Sequence, residues 1–176
     1  MRRIAIAAAL SALFAAPAAF AADKVRATLT GGEEVPVVST AAAGEFAGVI
    51  SDGGDAIDYE LSFNGLQGAV QQAHIHLAQP NVNGAIVIWL CQTPTTLAPI
   101  AVRDITPECP QSGSVRGLIT QANVLAIATQ QVATGDIGQV VAAIRAGFAY
   151  VNVHTTPSPG GEIRGQIRAD SRTAAN

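Results

Sequence analysis

The sequence predicts a mainly β protein, an antiparallel β-sandwich carrying one short helix. Three observations predict it. Eight short apolar or alternating runs recur along the chain. Gly, Asn and Asp turn residues separate many of them, and only one stretch adopts a clear helical period.

The first segment lies outside that fold. Arg2 and Arg3 precede an apolar run from Ile4 to Ala16, Pro17 interrupts it, and Ala19-Phe20-Ala21 places small residues where a signal peptidase reads. This is the pattern of a secretory signal peptide over residues 1–21. The run is too short for a permanent membrane span. Paired arginines also open twin-arginine signals, but the rest of that signal is missing, so Sec export is expected. The product would be periplasmic or secreted, without a transmembrane anchor after cleavage. Residues 22–170 are then expected to form one domain and 171–176 a C-terminal tail. About 155 residues suffice for a real hydrophobic core.

The strand candidates are Val25 to Leu29, Phe46 to Ile50, Ile57 to Phe63, Ala69 to Leu77, Ala85 to Cys91, Ser114 to Ile119, Ala149 to His154 and Glu162 to Ile167. Asp52-Gly53-Gly54-Asp55 fits a hairpin turn, and Asn64-Gly65 and Asn83-Gly84 are turn dipeptides. Strands at this spacing suit a sandwich or barrel. Ile137, Val140, Val141 and Ile144 instead fall on one helical face. Asp136 is placed to cap that helix with Gln139 three residues on, Arg145 sits in its last turn, and Gly147 suits the left-handed C′ position. The helix is expected across one end of the sandwich. Thr120 to Thr134 reads as a short helix plus loop. A faint repeat, with Gly at its first and fifth positions and Ile at its seventh, begins at Gly44, Gly113 and Gly161. Its expected meaning is structural, since Gly inside a strand marks a bulge or a close approach.

The two cysteines, Cys91 and Cys109, are expected to form a disulfide in an oxidising compartment. The intervening loop carries Pro94, Pro99 and Pro107 and has little else to order it, so the bridge should stabilise by roughly 3 kcal/mol. A redox-active pair is disfavoured because CxxC spacing is absent. Removing Arg2 and Arg3 leaves eight basic residues against thirteen acidic ones, a formal charge of −5. That balance argues against nucleic acid or anionic membrane as a partner.

The chain's three histidines fall in two motifs, Ala73-His74-Ile75-His76 and Tyr150-Val151-Asn152-Val153-His154-Thr155. Alternation along a strand turns His74 and His76 to the same side. If the sheet brings His154 beside them, the three form a nitrogen ligand set with an open position, suited to copper or zinc. The alternative is that each imidazole hydrogen-bonds loop backbone at the sandwich rim. Beyond His154, the Pro-Gly-Gly turn is expected to fold Glu162 and Arg164 back onto one face. There Arg164 would guide an anion or orient a carboxylate near the histidines, or pair with Glu162 or another acid. Glu33-Glu34-Val35-Pro36 suits a cation, but solvated charges before a strand explain it equally well. Asp52, Asp55 and Asp58 lack the spacing of an EF-hand loop. No nucleophile elbow or phosphate-binding loop is present.

The chain resembles the CHRD domain, a module first described as a repeat in chordin and also found singly in exported bacterial proteins. The resemblance covers about Ala27 to Ile167. It is carried by Leu29-Thr30-Gly31-Gly32-Glu33-Glu34-Val35-Pro36, by Ala73-His74-Ile75-His76, and by Ala146-Gly147 through Tyr150-Val151-Asn152-Val153-His154-Thr155 to Pro159-Gly160-Gly161-Glu162-Ile163-Arg164-Gly165-Gln166-Ile167. It implies a β-sandwich, immunoglobulin-like or Cu/Zn superoxide dismutase-like, and no agreed activity. In chordin these domains belong to an extracellular binder of growth factors. The His-x-His strand, the later Val-His and the arginine beyond also look like the copper half of Cu/Zn superoxide dismutases. That similarity maps His74, His76 and His154 onto copper ligands and Arg164 onto an anion-guiding arginine. No histidine remains for the bridging position and no zinc subsite is present, so dismutase activity is not implied.

Three readings follow. One is a non-enzymatic binding or structural module with an unknown protein or small ligand as partner. The second is a copper- or zinc-binding protein with a sequestration or redox role. The third, a hydrolase or isomerase using one histidine as base, lacks a partner nucleophile. The converging or splayed arrangement of the three rings separates the first two.

Overall fold

A computed structural model describes residues 23–170. The signal peptide (1–21) and the C-terminal tail (171–176) expected from the sequence lie outside the described residues. Nine strands form one antiparallel sheet: β1 (Asp23–Thr30), β2 (Ala43–Ile50), β3 (Ala56–Asn64), β4 (Val70–Leu77), β5 (Ala85–Cys91), β6 (Gly113–Thr120), β7 (Ala149–Thr155), β8 (Ile163–Gln166) and β9 (Arg168–Ala169). The spatial order is β5-β4-β7-β8-β1-β2-β3-β6, with β9 paired to β1. The sheet curls until its two edges approach, giving a nearly closed, sandwich-like barrel, in agreement with the fold class read from the sequence. Among the described residues no helix is long and apolar enough to cross a membrane.

Period-two patterning explains the first half of this sheet. In β1, Val25, Ala27 and Leu29 are buried while the residues between them are exposed, as expected of strands with one wet face. Ile57, Tyr59, Leu61 and Phe63 are likewise buried in β3, with Asp58 exposed and Glu60 and Ser62 half-buried between them. Their inner faces meet Ala73, Ile75, Ile88, Val151, Val153 and Ile163 from the other half in one core. The second half departs from alternation. Residues Ala73 to Leu77 and all of β7 are buried on both faces, because loops cover the outer side.

The helix α1 (Ile137–Arg145) has the predicted bounds. The Asp136 carboxylate accepts from the Gln139 amide at 3.0 Å, and Val140, Val141 and Ile144 enter the core. The ambiguous stretch from Thr120 to Thr134 resolves into two 3₁₀ turns, Gln121–Asn123 and Ala128–Gln130. In the β4–β5 connection the left-handed residue is Asn81 (φ 63°), not the expected Asn83-Gly84 pair. Gly84 is needed because a side chain there would overlap the Leu77 carbonyl.

Two of the repeat glycines make room for packed side chains, Gly48 for Val25 and Ile57 and Gly117 for Tyr59. Gly48 and Gly117 flank Tyr59 on the neighbouring strands. At Gly117 a Cβ would press on the Tyr59 ring, whose hydroxyl donates to the Leu90 carbonyl at 2.6 Å and ties β3 to β5.

Cys91 and Cys109 form the expected disulfide, with Cα atoms 4.9 Å apart. The loop it closes is better ordered than its prolines suggested. The Gln92 side chain donates to the carbonyls of Arg103 (2.7 Å) and Thr106 (2.8 Å) and accepts from the Ala98 amide (2.9 Å). A second small apolar cluster, Trp89, Ala98 and Val102, forms beneath this loop.

Candidate metal centre

Strands β5, β4, β7 and β8 turn one face to the core and the other to covering loops. Register determines which residues share the loop side. Across β4 and β7, Gln72 stands opposite His154, His74 opposite Asn152, and His76 opposite Tyr150. Asn152 in turn stands opposite Arg164 on β8, and His74 opposite Trp89 on β5. Alternation puts these residues on one face, while Ala73, Ile75, Val151, Val153 and Ile163 take the other.

Three loops seal this face. The Gly31–Val38 segment turns back through the Val38 amide, which donates to the Gly31 carbonyl at 2.8 Å. The β4–β5 connection is tied to it by Asn83, whose amide donates to the Val35 carbonyl at 2.8 Å. The β7–β8 connection supplies the Pro159 carbonyl. Beneath them His74 is fully buried, with His76 7% and His154 6% exposed.

The three imidazoles converge. One ring nitrogen from each lies within 4.8 Å of the others. His74 Nδ1 is 3.1 Å from His154 Nε2. His76 Nδ1 is 3.0 Å from the Gly84 carbonyl and His154 Nδ1 2.9 Å from the Pro159 carbonyl. A carbonyl only accepts, so both Nδ1 atoms carry hydrogen and both Nε2 atoms of the neutral rings keep a lone pair. This is how metal-ligating histidines are commonly oriented, one nitrogen on a backbone carbonyl and the other left for the ion. The Nε2 atoms of His74 and His76 are buried without a hydrogen-bond partner. Leaving such groups unmatched is costly, and a cation offers what a neutral carbonyl cannot.

Burial also sets the charge state. It holds His74 well below the ordinary imidazole range, with the positive ends of His154 and His76 adding to the effect. It pushes His76 down to about 4 against the opposing bond to Gly84, and it lowers His154 despite the bond to Pro159. At neutral pH the cluster is therefore three uncharged nitrogen donors, a set that zinc and copper accept.

Aromatic rings and one cation pack around it. Trp89 meets His74 edge-on at 4.3 Å between centroids, and Tyr150 stacks on His76 at 4.7 Å. The Arg164 guanidinium lies 3.5 Å from the Tyr150 centroid. It donates to the Val82 carbonyl (2.9 Å) and to Asn83 Oδ1 (3.1 Å) and is 1% exposed. So Arg164 does reach the histidine neighbourhood, as a buried clamp on the covering loop. Glu162 points to other partners: it accepts from the hydroxyls of Thr40 (2.9 Å) and Thr155 (2.7 Å) and from the Gln67 amide (2.9 Å). Among the described residues it makes no ion pair with Arg164.

One polar residue of this face escaped the sequence reading, and a second, Glu34, reads from the sequence either as a cation ligand or as a solvated charge. Asn152 is 2% exposed, and its Oδ1 lies 3.0 Å from His154 Nε2. The signal for it was present, since Tyr150, Asn152 and His154 alternate on one strand. Glu34 is 5% exposed, whereas the solvated reading holds for its neighbour Glu33. Burial pushes Glu34 up to about 7, although Arg164, the Val35 amide and Asn152 all pull the other way.

Together the fold and the site define a small antiparallel β module with a buried, loop-covered cluster of three neutral histidines. The chain belongs to the CHRD domain family, whose model matches residues 25–167. No curated protein matches it.

Proposed function

We propose that this CHRD-domain protein is an exported, non-enzymatic metal-binding module that holds one copper or zinc ion through His74, His76 and His154. The observation that carries the reading is the pair of buried, unpartnered Nε2 atoms beside a third ring whose tautomer a carbonyl fixes. Burial of the cluster beneath the loops favours retention or sequestration of the ion over turnover of a substrate. The N-terminal pattern of residues 1–21 and the disulfide support export, with residues 22–170 as the mature domain. The arrangement of His-x-His, Val-His and a following arginine supports a distant likeness to the copper half of Cu/Zn superoxide dismutases. Without a bridging histidine that likeness carries no dismutase activity. Arg164 and Glu162 act as organisers of the covering loops. When bound, the ion supplies a positive charge that satisfies the bare nitrogens and pins β4 to β7.

A second reading, histidines as rim supports only, is favoured by the bonds from His76 and His154 to separate carbonyls. Uptake separates the two. Mature protein stripped with a chelator and dialysed against Zn(II) or Cu(II) should retain one equivalent, and His74→Ala or His154→Ala should abolish retention. Equal retention by the variants, or none by the parent, overturns the metal reading.

A further inference from the structure

We infer that the side-chain carbonyl of Asn152 is a fourth ligand of the histidine site, aimed at the ion by the buried carboxylate of Glu34. The inference rests on the metal reading above and adds the two groups that complete it.

Asn152 Oδ1 lies 3.0 Å from His154 Nε2, and His74 Nδ1 lies 3.1 Å from the same nitrogen. With His154 Nδ1–H committed to Pro159, that Nε2 accepts from His74 Nδ1–H in the metal-free protein, while the Asn152 oxygen, which has no hydrogen to give, faces the same lone pair and repels it. A cation shared by the two atoms turns the repulsion into chelation. These two distances suit a shared ion: bonds of about 2.0–2.1 Å in a tetrahedral site place neighbouring ligand atoms about 3.3 Å apart, and the histidine nitrogens, now up to 4.8 Å apart, would close in on it. The His76 ring nitrogen completes the group, all three imidazole nitrogens lying within 4.8 Å of one another.

The other end of the amide faces Glu34. A side chain at Gly161 would overlap Glu34 Oε1 and crowd Asn152 Nδ2, so the carboxylate and the amide nitrogen meet over that glycine. A carboxylate accepts only, which selects Nδ2 towards Glu34 and Oδ1 towards the histidines. Glu34 Oε1 has no hydrogen-bond partner and is buried. Arg164 and the Tyr150 hydroxyl are the other ionisable groups acting on Glu34. The Arg164 charge is already shared among Val82, Asn83 and Tyr150. A divalent ion bound beyond Asn152 would balance the remaining carboxylate charge. Three imidazoles and an amide oxygen form a borderline-hard set, which points to a divalent ion rather than Cu(I).

The test is calorimetric titration of the stripped mature protein with zinc. Asn152→Ala should lose roughly 100-fold in affinity and Glu34→Gln roughly 10-fold, in the range seen when groups supporting metal ligands are removed. Because Asn152 is buried and its variant can misfold, the wild-type protein with ¹³C-labelled asparagine gives a second measurement. Its Asn152 carboxamide carbon should shift downfield on zinc binding. Zinc bound by the wild type with that carbon unmoved, or with equal affinity in a folded Asn152→Ala, overturns this inference alone. No zinc bound by the wild type overturns the metal reading with it.

Discussion

Replacing Glu34 with Gln should change how the stability of the metal-free protein depends on pH. Burial raises the Glu34 carboxyl from 4.5 to about 7 in the folded chain. A group whose folded value is raised stabilises fully below its unfolded value and loses that contribution as pH rises through the folded one. Between 4.5 and about 7, at about 1.4 kcal/mol per pH unit, the loss amounts to about 3 kcal/mol. The histidines act in the opposite direction. His76 falls from 6.5 to about 4, and His74 and His154 are lowered too, so their contribution is full above 6.5 and drains away towards acid. Three imidazoles outweigh one carboxyl, and the parent protein should weaken as pH falls from 6.5 to 4. Glu34→Gln removes only the opposing contribution. The variant should match the parent near pH 4.5, exceed it by about 3 kcal/mol at pH 8, and weaken more steeply on acidification. Urea denaturation with chelator at several pH values measures this directly. A stability difference that stays constant from pH 4.5 to 8 would refute the picture of Glu34 as a buried acid.

Other consequences are quickly checked. The single tryptophan, Trp89, packs 4.3 Å from His74, so Cu(II) bound at the cluster should quench its emission stoichiometrically, and a His74→Ala variant should not show this. Replacing Cys91 and Cys109 together by Ser should cost about 3 kcal/mol in urea denaturation, with the Gln92 bonds limiting how far the loop opens in the folded state. Tyr59→Phe should destabilise by about 1–2 kcal/mol, because the Leu90 carbonyl loses a buried donor. Gly161→Ala should both weaken zinc binding and lower thermal stability, since Gly161 sits at φ 125° and a side chain there would push on Glu34 and Asn152 together.

The strands and the helix were legible because burial follows a simple period there. Val25, Ala27 and Leu29 alternate, and Val140, Val141 and Ile144 recur at helical spacing with Asp136 at the cap. The shared face of His74 and His76 was legible for the same reason. Their meeting with His154 depends on β4 lying beside β7, a pairing between segments about eighty residues apart that local pattern leaves open. Glu34 was illegible because nothing near it distinguishes a solvated acid from a buried one. Its burial comes from Gly161 and the loop holding Asn83, both distant in sequence. The Arg164–Glu162 alternative failed on loop geometry: Thr40 from the β1–β2 connection and Gln67 from the β3–β4 connection reach Glu162 first. Likewise the proline-rich disulfide loop looked loose because the organising influence of Gln92 is a side-chain effect without a sequence pattern.

X-ray absorption at the metal edge of the loaded protein measures the ligand shell itself. A single ion bound by three imidazole nitrogens and one oxygen is the expected shell. An ion seen by two imidazoles or fewer, with the remaining ring still bonded only to protein, would contradict a site in which His74, His76 and His154 act together.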